Sequence, residues 1–123
     1  MRPQSVFVFG SNLAGRHGAG AALYAVKMFG AIYGRGEGRQ GMSYAIPTKD
    51  AALNTLGLDE IAAAVARFSD YALKNHTELF VLTPIGCGLA GYKPRDIWPI
   101  LHKVKLPPNV TLHSSWVNDY AEP

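Results

Sequence analysis

The stretch Ser5-Val6-Phe7-Val8-Phe9-Gly10-Ser11-Asn12-Leu13-Ala14-Gly15-Arg16-His17-Gly18-Ala19-Gly20-Ala21-Ala22 decides the fold. Ser5 to Phe9 is a short β-prone run with large apolar side chains on both faces. That is the pattern of a strand in a sheet covered on both sides. Gly10 ends the run, and Gly10 to His17 reads as a polar loop rich in turn formers. From Gly18 to Ile32, residues Ala19, Ala22, Leu23, Val26, Phe29 and Ala31 recur at roughly helical spacing. A buried strand that passes through a glycine loop into a helix is the opening of an α/β unit. Glycines there let backbone N–H groups converge, and the start of a helix adds positive potential, so the loop can receive an anion. It is not a Walker A loop, because no Gly-Lys-Ser/Thr follows at the required spacing.

The rest of the chain repeats the alternation. Gly34 to Gly41 is too glycine-rich to hold regular structure. Met42 to Pro47 reads as a second strand, stopped by Pro47. Leu58 to Lys74 carries an apolar stripe of Ile61, Val65, Phe68 and Ala72, with Asp59 and Glu60 where the helix dipole favours acids. Leu79 to Thr83 is a third strand and Pro84 to Tyr92 a second glycine loop. Pro94 to Val104 is a helix with proline at its start, and Pro99 is a place for it to kink or shorten. Asn109 to Ser114 is the last strand, and the segment after Trp116 reads as irregular. The order β-α-β-α-β-α-β predicts an α/β fold with a mostly parallel central sheet covered by helices on both faces, in one domain over residues 1–123. In open sheets of this kind ligands bind at the carboxyl ends of the strands. The loops there are Gly10–His17, Pro47–Asp50 and Pro84–Tyr92.

Composition narrows the function classes. The chain has 123 residues, 48% of them hydrophobic and 17% charged, which excludes disorder by composition. One cysteine, Cys87, excludes an intramolecular disulfide framework. No run reaches the ~20 apolar residues of a membrane span, and the four large apolar residues Val6 to Phe9 are too few for a secretory core segment. The expectation is a soluble, cytoplasmic protein. Net charge is +3, but Gly10 to Lys49 holds Arg16, Lys27, Arg35, Arg39 and Lys49 against Glu37 alone. Twelve of the 13 glycines fall between Gly10 and Gly41 or between Gly86 and Gly91. A basic, glycine-rich half at the ligand edge points to an anionic ligand.

Gly86-Cys87-Gly88-Leu89-Ala90-Gly91 fits G-x-G-x-x-G, yet no acid closes the next strand, where His113 and Ser114 stand, so a dinucleotide fold is not indicated. Gly36 to Gly41 fits the same pattern between a helix and a strand, and carries nothing. His17, His76, His102 and His113 have no metal-ligand spacing. Cys87 is either a reactive thiol or a small residue fitting a tight loop. Lys49 directly follows a buried strand and emerges at the ligand edge. Its amine can bind phosphate or attack a sugar carbon at the aldehyde oxidation level, or it is simply a solvated lysine.

Three blocks together resemble the macro domain family, and within it the Lys-dependent ADP-ribosyl hydrolases. They are Arg16-His17-Gly18-Ala19-Gly20-Ala21-Ala22, Tyr44-Ala45-Ile46-Pro47-Thr48-Lys49 and Pro84-Ile85-Gly86-Cys87-Gly88-Leu89-Ala90-Gly91. They stand in family order, and the resemblance spans roughly residues 5 to 115. It implies a compact macro-type domain that binds ADP-ribose or a related NAD-derived nucleotide. Backbone amides of Gly86, Cys87, Gly88 and Leu89 would hold the diphosphate. Gly18 and Gly20 would admit the distal ribose, with Ser11 or Asn12 bonded to it. His17, Ala19, Thr48, Pro84, Ile85 and Ala90 complete the implied pocket. Lys49 is the implied catalytic residue of an ADP-ribosyl glycohydrolase, with Asp50, His17 and Glu37 as candidate acid/base partners. The implied partner is ADP-ribose or an ADP-ribosylated macromolecule, protein or DNA, with no cofactor, metal or membrane. The alternative is a reader or sequestering module without chemistry. Protein-directed members carry aspartate where this chain has Ala90; DNA-directed members carry glycine. The chain also starts directly at the Ser5 strand, without the extra strand and acid that contact adenine in many macro domains. Trp116 and Tyr120 are the candidate stacking face in their place.

Overall fold

The computed structural model describes residues 4–116. Its elements are β1 (Ser5–Asn12), α1 (Gly20–Phe29), β2 (Gly38–Gln40), β3 (Ser43–Lys49), α2 (Leu58–Lys74), β4 (Leu79–Leu82), α3 (Pro94–Val104) and β5 (Val110–Leu112). The five strands form one sheet in the order β2-β3-β1-β4-β5. β1 runs parallel to both β3 and β4, β4 runs parallel to β5, and β2 alone is antiparallel, against β3. The expected α/β class holds, with a mostly parallel mixed sheet and three helices.

Alternation along the strands sorts the core into two layers. Val6 and Val8 of β1, Tyr44 and Ile46 of β3, and Phe80 and Leu82 of β4 pack with α2 and α3. Phe9 and Ala45 face the other way, against Ala22 and Ala25 of α1. Helices therefore cover both faces, and apolar residues at successive positions of β1 are each buried by a different layer. α2 presents Ile61, Ala64, Val65, Phe68 and Ala72, a stripe at helical spacing. Burial of its three largest members contributes roughly 1.5–3 kcal/mol each as an upper bound.

Helix ends follow local chemistry. The Glu60 carboxylate accepts from the Gly57 amide (3.1 Å) at the start of α2, and the Asp96 carboxylate accepts from the Lys93 amide (2.8 Å) at the start of α3. α1 ends at Gly30, whose φ of 75° is the left-handed cap that glycine supplies. α3 continues through Pro99 to Val104. Pro99 is exposed, so the Arg95 carbonyl deprived of its partner meets water rather than core.

Four sequence expectations need correction. Pro47 does not stop the second strand: β3 runs through it, opposite Ser11 of β1, to Lys49. β1 runs on to Asn12, beyond Gly10, because its last residues pair with β3 as far as Asn12 opposite Lys49, with a register shift between Ser11 and Asn12. α1 is shorter than Gly18 to Ile32, ending where Gly30 turns the chain. Part of the Gly34 to Gly41 segment is a strand: Gly38, Arg39 and Gln40 oppose Ala45, Tyr44 and Ser43. Two bidentate ion pairs tie this edge to the remainder. Arg39 grips Glu78 at 2.8 and 3.0 Å and also donates to the Tyr71 hydroxyl at 2.9 Å. Arg67 grips Glu37 at 2.7 and 3.1 Å. The hydrogen bond from Arg39 holds the Glu78 carboxyl below its ordinary range. Burial, aided by the charge of Glu37, pushes the Tyr44 hydroxyl up to about 12. Among the described residues no helix is long and apolar enough to cross a membrane.

Candidate functional site

The carboxyl ends of β1, β3 and β4 converge with their three following loops. The Thr48 hydroxyl donates to the Ser11 carbonyl (3.2 Å), and the Leu13 amide donates to the Lys49 carbonyl (3.0 Å). The Thr55 hydroxyl donates to the Ala90 carbonyl (2.8 Å), and the Tyr92 hydroxyl to the Leu56 carbonyl (2.7 Å). The segment after β3 is thereby stitched to the glycine loop on one side and to the first loop on the other. Gly10 completes the contact: a Cβ there would lie 3.4 Å from the Gly86 amide nitrogen.

The glycine loop offers donors. Gly86 holds a φ of 74°, which turns the chain sharply after Ile85. The Cys87 amide donates to the Pro84 carbonyl (3.2 Å), and the Gly91 amide to the Gly88 carbonyl (3.0 Å). The amides of Gly86, Gly88, Leu89 and Ala90 have no acceptor among the described residues. Leu89 is 78% exposed, so this part of the loop stands in solvent. Free N–H groups clustered on a tight loop form an anion-binding concavity. The start of α1 is similar. Its N-cap, Ala19, provides no side-chain acceptor, its first turn holds no acid, and the amides of Gly20, Ala21 and Ala22 have no acceptor among the described residues.

Lys49 stands between these two sets of donors in the chain's topology, at the end of β3 and half-buried. Among the described residues, no hydrogen bond or ion pair engages its ammonium. A cation of this kind is available to an anion or, deprotonated, to a carbon electrophile.

Several sequence-predicted site residues point their polar atoms inward. The Ser11 hydroxyl donates to the Gly36 carbonyl. The Asn12 side chain donates to the Arg16 carbonyl (3.0 Å) and accepts from the Arg16 amide (2.9 Å), closing the first loop on itself. His17 is 1% exposed. Its Nε2 lies 3.0 Å from the Arg35 carbonyl oxygen and 3.2 Å from Gln40 Oε1, both acceptors, so Nε2 carries the proton. Nδ1 is buried without a partner among the described residues. The Thr48 hydroxyl is spent on Ser11, and Pro84 and Ile85 form the turn beneath the glycine loop. Gly18, Ala19 and Gly20 are exposed at the mouth of the first loop.

Each acid/base candidate is engaged by another group. Asp50 Oδ1 accepts from the amides of Ala52 and Asn54, both at 2.9 Å. Glu37 is held by Arg67, and His17 is buried behind the loop. The proposed stacking face is also corrected: Trp116 is 1% exposed, and its indole N–H donates to the Leu82 carbonyl (2.8 Å), on the α3 side of the sheet. Tyr120 lies outside the described residues. Among the described residues, no group of three or more His, Cys, Asp or Glu is placed to hold a metal ion.

Sequence reasoning missed Thr55 and Tyr92, whose hydroxyls tie the site loops together. Only their polar side chains in a loop region hinted at it. A groove of about 590 Å³ lies at the opposite end of the sheet, where Ser5, Met42 and Met28 line it, and it shares no residue with this site.

Comparison with known proteins adds the fold. No family model matches the chain. No curated protein matches it either. Two neighbours among the solved structures come from Bacteroides thetaiotaomicron. One is a protein of unknown function, with a TM-score of 0.61 at 16% identity, covering 90% of this chain and 87% of the neighbour. The other is a structural-genomics target, with a TM-score of 0.51 at 19% identity, covering 91% of each chain. Both share the architecture along nearly the whole length.

Proposed function

We propose that this is a macro-type domain that binds ADP-ribose or a related NAD-derived nucleotide, and that Lys49 cleaves the ADP-ribosyl bond to a modified acceptor. The observation that supports the proposal is that the amides of Gly86, Gly88, Leu89 and Ala90 and the ammonium of Lys49 have no partner among the described residues, on loops that hydrogen bonds from Leu13, Thr48 and Thr55 tie to one another. A diphosphate suits the amides, because several fixed N–H dipoles meet two negative groups without reorganisation. The amide of Cys87, turned toward Pro84, is left out of that set.

In the catalytic reading the neutral Lys49 amine attacks the anomeric carbon of the distal ribose. A C–N bond forms as the glycosidic bond breaks, and the acceptor leaves with a proton. Water then hydrolyses the Lys49 adduct, which frees ADP-ribose and restores the amine. Ser11 and Asn12 support this pocket by shaping the first loop, since their side chains are engaged within the protein.

A second reading, a binding module without chemistry, is favoured by one specific observation. Asp50 Oδ1 accepts two backbone amides, Glu37 is paired with Arg67 and His17 Nε2 bonds the Arg35 carbonyl, so each candidate proton donor for the leaving group already has another partner. Single-turnover assays with ADP-ribosylated DNA and protein separate the readings. Release of ADP-ribose that depends on Lys49 supports the enzyme. Tight binding without release supports the module. The expected setting is the cytoplasm.

A further inference from the structure

Among the described residues, Arg39 and Arg67 are locked by carboxylates, whereas Arg16, Arg35 and Arg95, the last in the first turn of α3, are not. Arg39 and Arg67 each make a bidentate pair with a carboxylate. Arg16 and Arg35 are exposed, and among the described residues neither guanidinium has an ion pair or hydrogen bond. They emerge from neighbouring backbone. The Gly34 amide donates to the Gly15 carbonyl (2.8 Å), and Gly15 sits so close to Arg35 that a Cβ on it would overlap the Arg35 amide. The His17 ring, next after Arg16, bonds the Arg35 carbonyl. Tyr33 stands beside them, 63% exposed, with its ring centroid 6.2 Å from that of His17. Leu13 links this surface to Lys49 through its amide. Of the acids nearby, Glu37 is neutralised by Arg67, and Asp50 next to Lys49 is the only other one on these loops.

We propose that Arg16, Arg35 and Tyr33 form a docking surface for a single-stranded nucleic acid along the rim of the Lys49 site. Charge complementarity selects a polyanion. Unengaged guanidinium groups can pair with phosphodiester oxygens, and the exposed Tyr33 ring on the same surface gives a base a stacking platform. An acidic peptide satisfies the cations but has no use for the ring, so the strand is the better occupant. The surface lies outside the glycine-loop cradle, and the proposal holds whether or not that cradle takes ADP-ribose.

The test is anisotropy of a short fluorescein-labelled oligothymidylate, titrated with the whole chain at several salt concentrations. The probe carries no ADP-ribose and so reads the surface alone; calorimetry with ADP-ribose on the same variants reads the cradle. Arg16→Glu/Arg35→Glu is expected to weaken binding at least tenfold and to reduce the log–log salt slope by about 0.7 for each phosphate no longer neutralised. Tyr33→Ala is expected to cost about fivefold or more. Lys27→Glu/Lys103→Glu, in the last turns of α1 and α3, makes the same charge change away from this rim. It is expected to leave affinity within about twofold of the wild type after screening in physiological salt. Equal losses in both double variants, no oligonucleotide binding, or polyglutamate binding as tightly as the oligonucleotide with Tyr33→Ala neutral, would each overturn the proposal.

Discussion

Gly15 and Arg35 lie back to back: a Cβ on Gly15 would overlap the Arg35 amide nitrogen, and Gly15 holds a φ of 70°. The contact pins the first loop onto the segment that leads into β2. Any side chain at Gly15 meets both a left-handed backbone and a steric overlap. Gly15→Ala is therefore expected to destabilise the fold by at least ~2 kcal/mol. Urea denaturation followed by circular dichroism checks this, and a midpoint equal to that of the wild type would refute the account of the loop.

That contact also shows where the sequence stops being legible. α2 and α3 were readable to the residue, because a helical stripe, first-turn acids and Pro94 are all local signals. The parallel sheet followed from apolar runs separated by helices. β2 was not readable: Gly38 to Gln40 has no β-forming pattern and becomes a strand through pairing with β3 and the distant grip of Arg39 on Glu78. Ser11 and His17 looked available to a ligand because their partners, Gly36, Arg35 and Gln40, lie 18 to 25 residues away. Trp116 misled for the same reason. Its acceptor, Leu82, is 34 residues distant.

Lys49 separates chemistry from affinity. Lys49→Ala is expected to abolish release of ADP-ribose from a modified acceptor while the Kd for ADP-ribose stays within about fivefold, roughly 1 kcal/mol. Single-turnover kinetics and calorimetry on the same preparation decide it. Unchanged turnover in the variant contradicts the catalytic role.

Gly88 gives a test of the cradle that does not disturb the fold. A Cβ there meets nothing within 4 Å, and its φ is not left-handed. Gly88→Val is expected to leave the Tm within a few degrees, as for a surface substitution, yet to weaken ADP-ribose binding tenfold or more by standing between the ligand and the amides. Full affinity in this variant places the diphosphate elsewhere.

The Arg39–Glu78 pair makes a pH-dependent contribution. The folded Glu78 carboxyl titrates below its ordinary value of 4.5. The stabilisation is thus fully present above about that pH and is lost as pH falls through the lowered folded value. Both side chains are a quarter to a third exposed, so solvent screening limits the contribution to about 1 kcal/mol or less. Glu78→Gln is expected to be less stable than the wild type at pH 7, with the gap closing below pH ~4. Denaturation midpoints of both proteins across that range check it, and a gap that persists in acid contradicts it.

The proposed diphosphate-ribose pocket lies at the carboxyl edge of the sheet. Calorimetric titration with ADP-ribose, with AMP and NAD as comparators, tests it most directly. ADP-ribose is expected to bind in the micromolar range, about −8 kcal/mol, with AMP much weaker, and to raise stability by ~2.7 kcal/mol at a hundred times its Kd. No heat and no shift in Tm with ADP-ribose would contradict it.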